Sequence, residues 1–297
     1  MNHDCRDMNK LIAMRLTIFL LTVWFCINPS LARTGEKEKM TLIFVGNSYI
    51  YVNDLPGILS GIIDSTRCDT ISLPEVNMMV VTRASYTLEQ HWKNNRNQIE
   101  DSLKKAAVES DSVIMIIQEQ SQGALTPASR ARMKEYATLF ASLGRKYYAG
   151  IILYQTWARR VTFDRYGQPR RTISQYMYQE VIEGDTTVLD ESITSASKGI
   201  CRTYRQLANE LDAGVAPCGE AFAEAIRQGM FVHQMDEVYG NHPNPIGSYL
   251  AASVMFGTIF GISPQSISEN AYRYVWPSLA RRLHSIAEEA VEGKLEP

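Results

Sequence analysis

The feature that most constrains this chain is an alternation of short, apolar, β-branched runs with longer stretches of helical periodicity. Thr41–Val45 is such a run and closes on Gly46; Glu75–Val81, Ser112–Ile117, Gly150–Tyr154 and the brief Gly214–Pro217 follow it. Ser112–Ile117 is apolar at nearly every position rather than every second one, as expected of a strand covered on both faces. Between and after these runs lie helical stretches. Leu55–Ser65 is opened by Asn53-Asp54 as a cap with Pro56 in the first turn. The others are Thr87–Val108, Pro127–Tyr147, Ser195–Leu211, Pro245–Phe260 and Tyr274–Val291. Strands separated by helices predict an α/β fold, a three-layer α/β/α sandwich around a parallel sheet. Thr162–Thr187 is polar and mixed, and reads as an insertion or long loop near the site. No internal repeat and no low-complexity linker divides the chain, so residues 33–297 read as one domain.

Residues 1–32 read differently. Lys10 and Arg15 precede an apolar run from Leu16 to Ile27, and Ser30 and Ala32 supply small residues after it. A positive flank, a short apolar core and a small-x-small site describe a secretory signal peptide. The run is shorter than the roughly 20 residues that span a bilayer. A secreted or periplasmic mature protein without stable membrane insertion is therefore expected. Its three cysteines would be Cys68, Cys201 and Cys218, so at most one internal disulfide can form. Cys201–Cys218 is a possible pair, and buried free thiols are the preferred reading. Net charge is −2, which gives no electrostatic footprint for nucleic acid. Arg159-Arg160 and Arg170-Arg171 read as solvated loop. Cysteines and histidines show no zinc spacing, and neither a metal nor an organic cofactor is implied.

In a doubly covered parallel sheet, ligands sit beyond the carboxyl ends of the strands. Three segments fall there: Gly46-Asn47-Ser48, Gln118-Glu119-Gln120-Ser121 and Tyr154-Gln155-Thr156-Trp157. Ser48 follows a strand and a glycine and precedes a helix, which places its hydroxyl near backbone N–H groups. A serine hydroxyl needs a base to act as a nucleophile at neutral pH. Asn241-His242-Pro243, late in the chain and before a helix, can supply one. Gly-Asn-Ser alone equally describes a turn or capping serine.

The ordered set of segments resembles the SGNH/GDSL hydrolases, and more closely a secreted bacterial branch of them. The resemblance is carried by Val45-Gly46-Asn47-Ser48-Tyr49, Tyr51–Pro56, Leu88–Trp92, Gln118–Ser121 and His242–Ala252. It implies the flavodoxin-like SGNH hydrolase fold, with Ser48 as nucleophile and His242 as general base. It implies an oxyanion hole from the N–H of Ser48, a backbone N–H at about Ser85, and the side chain of Gln120. Family members have a glycine at the Ser85 position and an asparagine at the Gln120 position. They also have an aspartate three residues before the histidine, where this chain has Tyr239; Asp236 or Glu237 can take that part, with Asp236 favoured, or a backbone carbonyl can hold the imidazole in a Ser-His dyad. No Gly-x-Ser-x-Gly elbow is present.

Asn47, Trp157 and Tyr154 complete the expected site as substrate contacts. The two aromatic side chains form either a sugar-stacking wall or ordinary packing. His91 reads as structural, His233 has no assigned role, and Glu119 either shifts its pKa near the site or ties the loop to a backbone amide. The resemblance implies a serine ester hydrolase acting on a small-molecule or glycan ester, with acetyl or other short acyl groups on carbohydrate foremost. A glycan-binding module with little catalysis is the alternative. Acyl transfer to a sugar hydroxyl would use the same residues.

Overall fold

A computed structural model describes residues 37–66, 71–121, 123–158, 192–234 and 242–295, the side chains of residues 192–196 excepted. The expected leader, Cys68, the loop Thr162–Thr187, both arginine pairs, Asp236, Glu237 and Tyr239 lie outside the described residues. Glu38–Pro297 forms a compact unit.

Five strands form one wholly parallel sheet in the order β2-β1-β3-β4-β5: β1 Lys39–Gly46, β2 Glu75–Thr82, β3 Ser112–Ile117, β4 Gly150–Tyr154 and β5 Gly214–Ala216. The helices are α1 Ser48–Tyr51, α2 Leu55–Thr66, α3 Leu88–Glu109, α4 Pro127–Lys146, α5 Ser192–Leu211, α6 Cys218–Arg227, α7 Pro245–Phe260 and α8 Pro277–Val291. The pleat divides the apolar runs between two cores. Leu42 and Phe44 of β1, Ile116 of β3 and Ile152 of β4 pack under α1, α2, α6, α7 and α8. Ile43, Val45, Met115, Ile117 and Leu153 pack on the other face under α3, α4 and α5. Side chains alternate between faces along a strand, so apolar residues at every position build both outer layers at once.

Two helices escape the sequence pattern. α1 is a single turn. α6 follows Pro217, begins Cys-Gly and has no side-chain cap at its start, so the usual opening signals are missing. α8 begins at Pro277 rather than Tyr274, because Pro at the first helical position sets the boundary and Trp276 before it is extended.

Candidate active site

The segment that leads into Ser48 is built around a glycine with no spare room. A Cβ on Gly46 would lie 2.6 Å from Gln118 Oε1 and 2.7 Å from Ile50 Cδ1. The Gly46 carbonyl accepts from Arg83 N at 3.1 Å and from His91 Nε2 at 2.8 Å. His91 is fully buried, and burial lowers its pKa, so the neutral ring holds the end of β1 rather than moving protons.

Asn47 follows and is buried. Its N–H donates to Gln118 Oε1 at 2.9 Å, its Nδ2 donates to Tyr86 O at 3.0 Å, and its Oδ1 accepts from Tyr49 N at 3.2 Å. Asn47, expected as a substrate contact, is seen as a joint between strand ends. It fastens the Ser48 turn to the turn after β2 and to the loop after β3.

Ser48 opens α1 and is 9% exposed. Its Oγ lies 2.7 Å from His242 Nε2, across 194 residues of chain. His242 is held by a short antiparallel bridge. His233 pairs with Pro243, Gln234 N donates to His242 O at 3.0 Å, and Asn244 N donates to Val232 O at 2.9 Å. Asn244 also caps α7, its Oδ1 accepting from Gly247 N at 2.9 Å.

Ser85 stands in the turn after β2 with φ of +59°. That left-handed backbone is where a glycine would be free of strain, in keeping with the glycine that the resemblance implies at this position. Gln120 is half-buried in the loop after β3. Glu119 joins the Gln120 loop to the start of α3: its Oε1 accepts from Gln120 N at 2.6 Å and its Oε2 from Leu88 N at 3.3 Å. Burial raises the Glu119 carboxyl to about 7, partly countered by these two N–H donors.

Trp157 and Tyr154 are buried, not a wall open to a sugar. One face of the Trp157 ring stacks on Tyr49 at 4.5 Å and 4°, the other on Phe222 at 3.8 Å and 1°. A ring covered on both faces offers no face to a pyranose. Tyr154 is fully buried, and its hydroxyl donates to Tyr49 O at 3.4 Å. The pile meets the Ser48–His242 pair through Tyr49, whose ring stands edge-on to His242 at 6.0 Å. Behind it, buried Glu220 accepts from Arg205 Nε at 2.7 Å and Gln155 Nε2 at 3.2 Å. Tyr49 and Phe222 gave no chemical signal in the sequence, because ring stacking depends on a fold that brings distant aromatic residues together.

Among the described residues no group of His, Cys, Asp and Glu could hold a metal ion, and no helix is long and apolar enough to cross a membrane. The arrangement places a serine hydroxyl and a hydrogen-bonded imidazole at the carboxyl edge of a parallel sheet, beside the turn after β2 and the loop after β3. No family model matches the sequence, and no curated protein is significantly similar to it. Solved structures do share its shape. A DUF4886 family protein from Bacteroides uniformis superposes with a TM-score of 0.60 at 16% identity, over 87% of this chain and all of that one. A provisionally assigned SGNH hydrolase from Slackia heliotrinireducens superposes with a TM-score of 0.51 at 19% identity, over 75% of this chain and all of that one. The fold is therefore the three-layer α/β/α fold of the SGNH hydrolases.

Proposed function

We propose that the chain is a serine ester hydrolase working through an acyl-Ser48 intermediate. The observation that carries this reading is the 2.7 Å hydrogen bond between Ser48 Oγ and His242 Nε2, set in the fold of hydrolases that use such a pair. The Ser48 hydroxyl proton passes to His242 as Oγ attacks the ester carbonyl carbon. The tetrahedral oxyanion is met by the N–H of Ser48, the N–H at Ser85 and the Gln120 amide. Collapse expels the alcohol, which takes the proton from His242 and leaves the acyl group on Oγ. Water then attacks the acyl carbon and gives its proton to His242, which passes it to Ser48 Oγ as the bond to the acyl group breaks and the acid leaves. Asp236 is the proposed orienter of the imidazole.

Residues 1–32 are proposed as a cleaved leader that sends the domain outside the cytoplasm, and acylated carbohydrate is the proposed substrate class. A purely binding role would leave the Ser48–His242 hydrogen bond without a use, since buried polar pairs of this kind are not required for stacking a sugar. Hydrolysis of a short-chain aryl acetate by the chain from residue 33, beside Ser48→Ala, tests the reading. Turnover is expected, with at least about a 10³-fold loss in the variant. Equal rates for the two proteins would remove Ser48 from the mechanism; folded but inert wild type across aryl esters and acetylated oligosaccharides would favour the binding module.

A further inference from the structure

Resting on that reading, we infer that Asn53 is a positioning residue for the general base, clamping the histidine loop onto the nucleophile turn. Asn53 lies five residues after Ser48. Sequence logic makes it a cap for α2, but Asp54 does that work: Gly57 N donates to Asp54 Oδ1 at 3.2 Å, and Ile58 N donates to Asp54 O at 2.9 Å. Asn53 turns the other way. Its Nδ2 donates to Pro243 O at 3.0 Å and to Ser248 Oγ at 2.9 Å. Both amide hydrogens thus cross to the segment that bears His242, one to the very next residue and one to the buried first turns of α7. The backbone accepts a left-handed φ of +59° to aim them, a conformation asparagine tolerates better than most residues.

The clamp closes a circuit. On one side the His242 carbonyl is held by Gln234 N; on the other the Pro243 carbonyl is held by Asn53. Pro243, with its φ fixed by the ring, sits between these anchors. Val52 N donates to Ser48 O at 2.9 Å, so the residue just before Asn53 is tied in turn to Ser48. The Ser48 Oγ to His242 Nε2 distance is therefore set from both ends of one short path. Asn53 touches neither substrate nor reacting atoms; it acts through where the imidazole stands.

The test uses covalent capture rather than any particular ester. A fluorophosphonate phosphonylates a base-activated serine: Oγ bonds to phosphorus, fluoride leaves, and the serine proton goes to the base. The limiting rate and the half-saturating concentration of Ser48 labelling are measured for wild type, Ser48→Ala, Asn53→Gly, Asn53→Asp, His242→Ala and the Asn53→Gly/His242→Ala pair. Glycine keeps the left-handed turn while deleting the amide, and aspartate keeps the shape while deleting the donors. Each Asn53 variant is expected to lower the limiting rate roughly 10- to 100-fold, as for a base displaced by about 1 Å, with the half-saturating concentration changed less than twofold. In the His242→Ala background the same glycine change is expected to cost less than about twofold, because groups acting as a unit are not additive. Wild-type rates in the Asn53 variants overturn the clamp, as does an equal loss with and without His242. Should Asn53→Gly fail to fold, Asn53→Asp and Ser248→Ala carry the same comparison. A wild type that the probe does not label at Ser48 sinks the serine-hydrolase reading itself, a result separate from any Asn53 effect.

Discussion

At the scale of single residues, Ser85 shows how a departure from a related pattern can leave backbone geometry untouched. The turn after β2 demands φ of +59°, and a residue with a Cβ pays roughly 1–2 kcal/mol to stay there. Glycine would relieve that strain but gain conformational freedom in the unfolded chain, an opposing effect of about 0.4–1 kcal/mol. Ser85→Gly is therefore expected to raise stability by about 0.5–1 kcal/mol, read as a higher urea midpoint with an unchanged slope. The donor proposed for the oxyanion at this position is a backbone N–H, which the substitution keeps, so on that reading ester turnover should stay within a few fold of wild type. A large loss of turnover with no loss of stability would mean that the Ser85 hydroxyl, not its N–H, does the work. Asn47 makes the complementary point: a polar residue beside the candidate nucleophile has every side-chain bond accounted for by the strand ends that it fastens.

At the scale of elements, Glu119 is where the end of β3, the start of α3 and the Gln120 loop meet. The carboxyl, 4% exposed, is raised from 4.5 to about 7 by burial. The folded state thus holds the proton more tightly than the unfolded chain. Between pH 4.5 and 7 the native protein binds more protons than the unfolded one, so unfolding free energy falls as pH rises through that window. The stabilisation is complete below 4.5 and lost above about 7, a change of up to about 3 kcal/mol for a shift of this size. Urea midpoints of wild type should fall from pH 4.5 to pH 8 more steeply than those of Glu119→Gln, in which that proton is gone. Each carboxylate oxygen serves a different N–H, so the variant also loses one good acceptor. The difference in pH slope, not the absolute stability, is the measurement that decides; parallel slopes would mean that Glu119 is solvated. Much at this scale was legible beforehand. β3, β4 and α7 begin and end where their apolar runs do, and α2 starts at the residue before Pro56. The sequence also singles out Ser48 and His242, through strand–glycine–serine and a late His-Pro before a helix, and the fold brings these two side chains into hydrogen-bond contact. Asn53, Tyr49 and Phe222 were not, since their partners are supplied by chain far away. For Trp157 the sequence leaves a sugar-stacking wall and ordinary packing both open, because periodicity cannot tell a ring facing a cleft from one stacked on both sides; the structure shows the packed ring.

At the scale of the whole molecule, the two sheet faces raise the question of whether they form one cooperative unit. Cys201 on α5 and Cys218 at the start of α6 are both free thiols and 1% and 0% exposed, which removes the disulfide considered for them. Cys218 belongs to the core shared with α7, its Sγ donating to Ala251 O at 3.7 Å. Cys201 follows Ile200 and precedes Tyr204, which pack into the opposite core. Burial pushes both thiols well above the ordinary range for cysteine, so neither should react while the fold is closed. Iodoacetamide at pH 8, followed by peptide mapping, should leave both unmodified in native buffer. With rising urea, both should become labelled along one curve that coincides with the loss of tryptophan fluorescence. Coincidence is what a single domain requires, because a sheet whose strands feed both layers cannot lose one layer and keep the other. If Cys201 became reactive at lower urea than Cys218, the α3–α4–α5 layer would be opening by itself. The proposed single domain would then be two stability units sharing a sheet, with Ser48 and His242, both tied to the α1–α2–α7 side, remaining assembled after the other layer had gone.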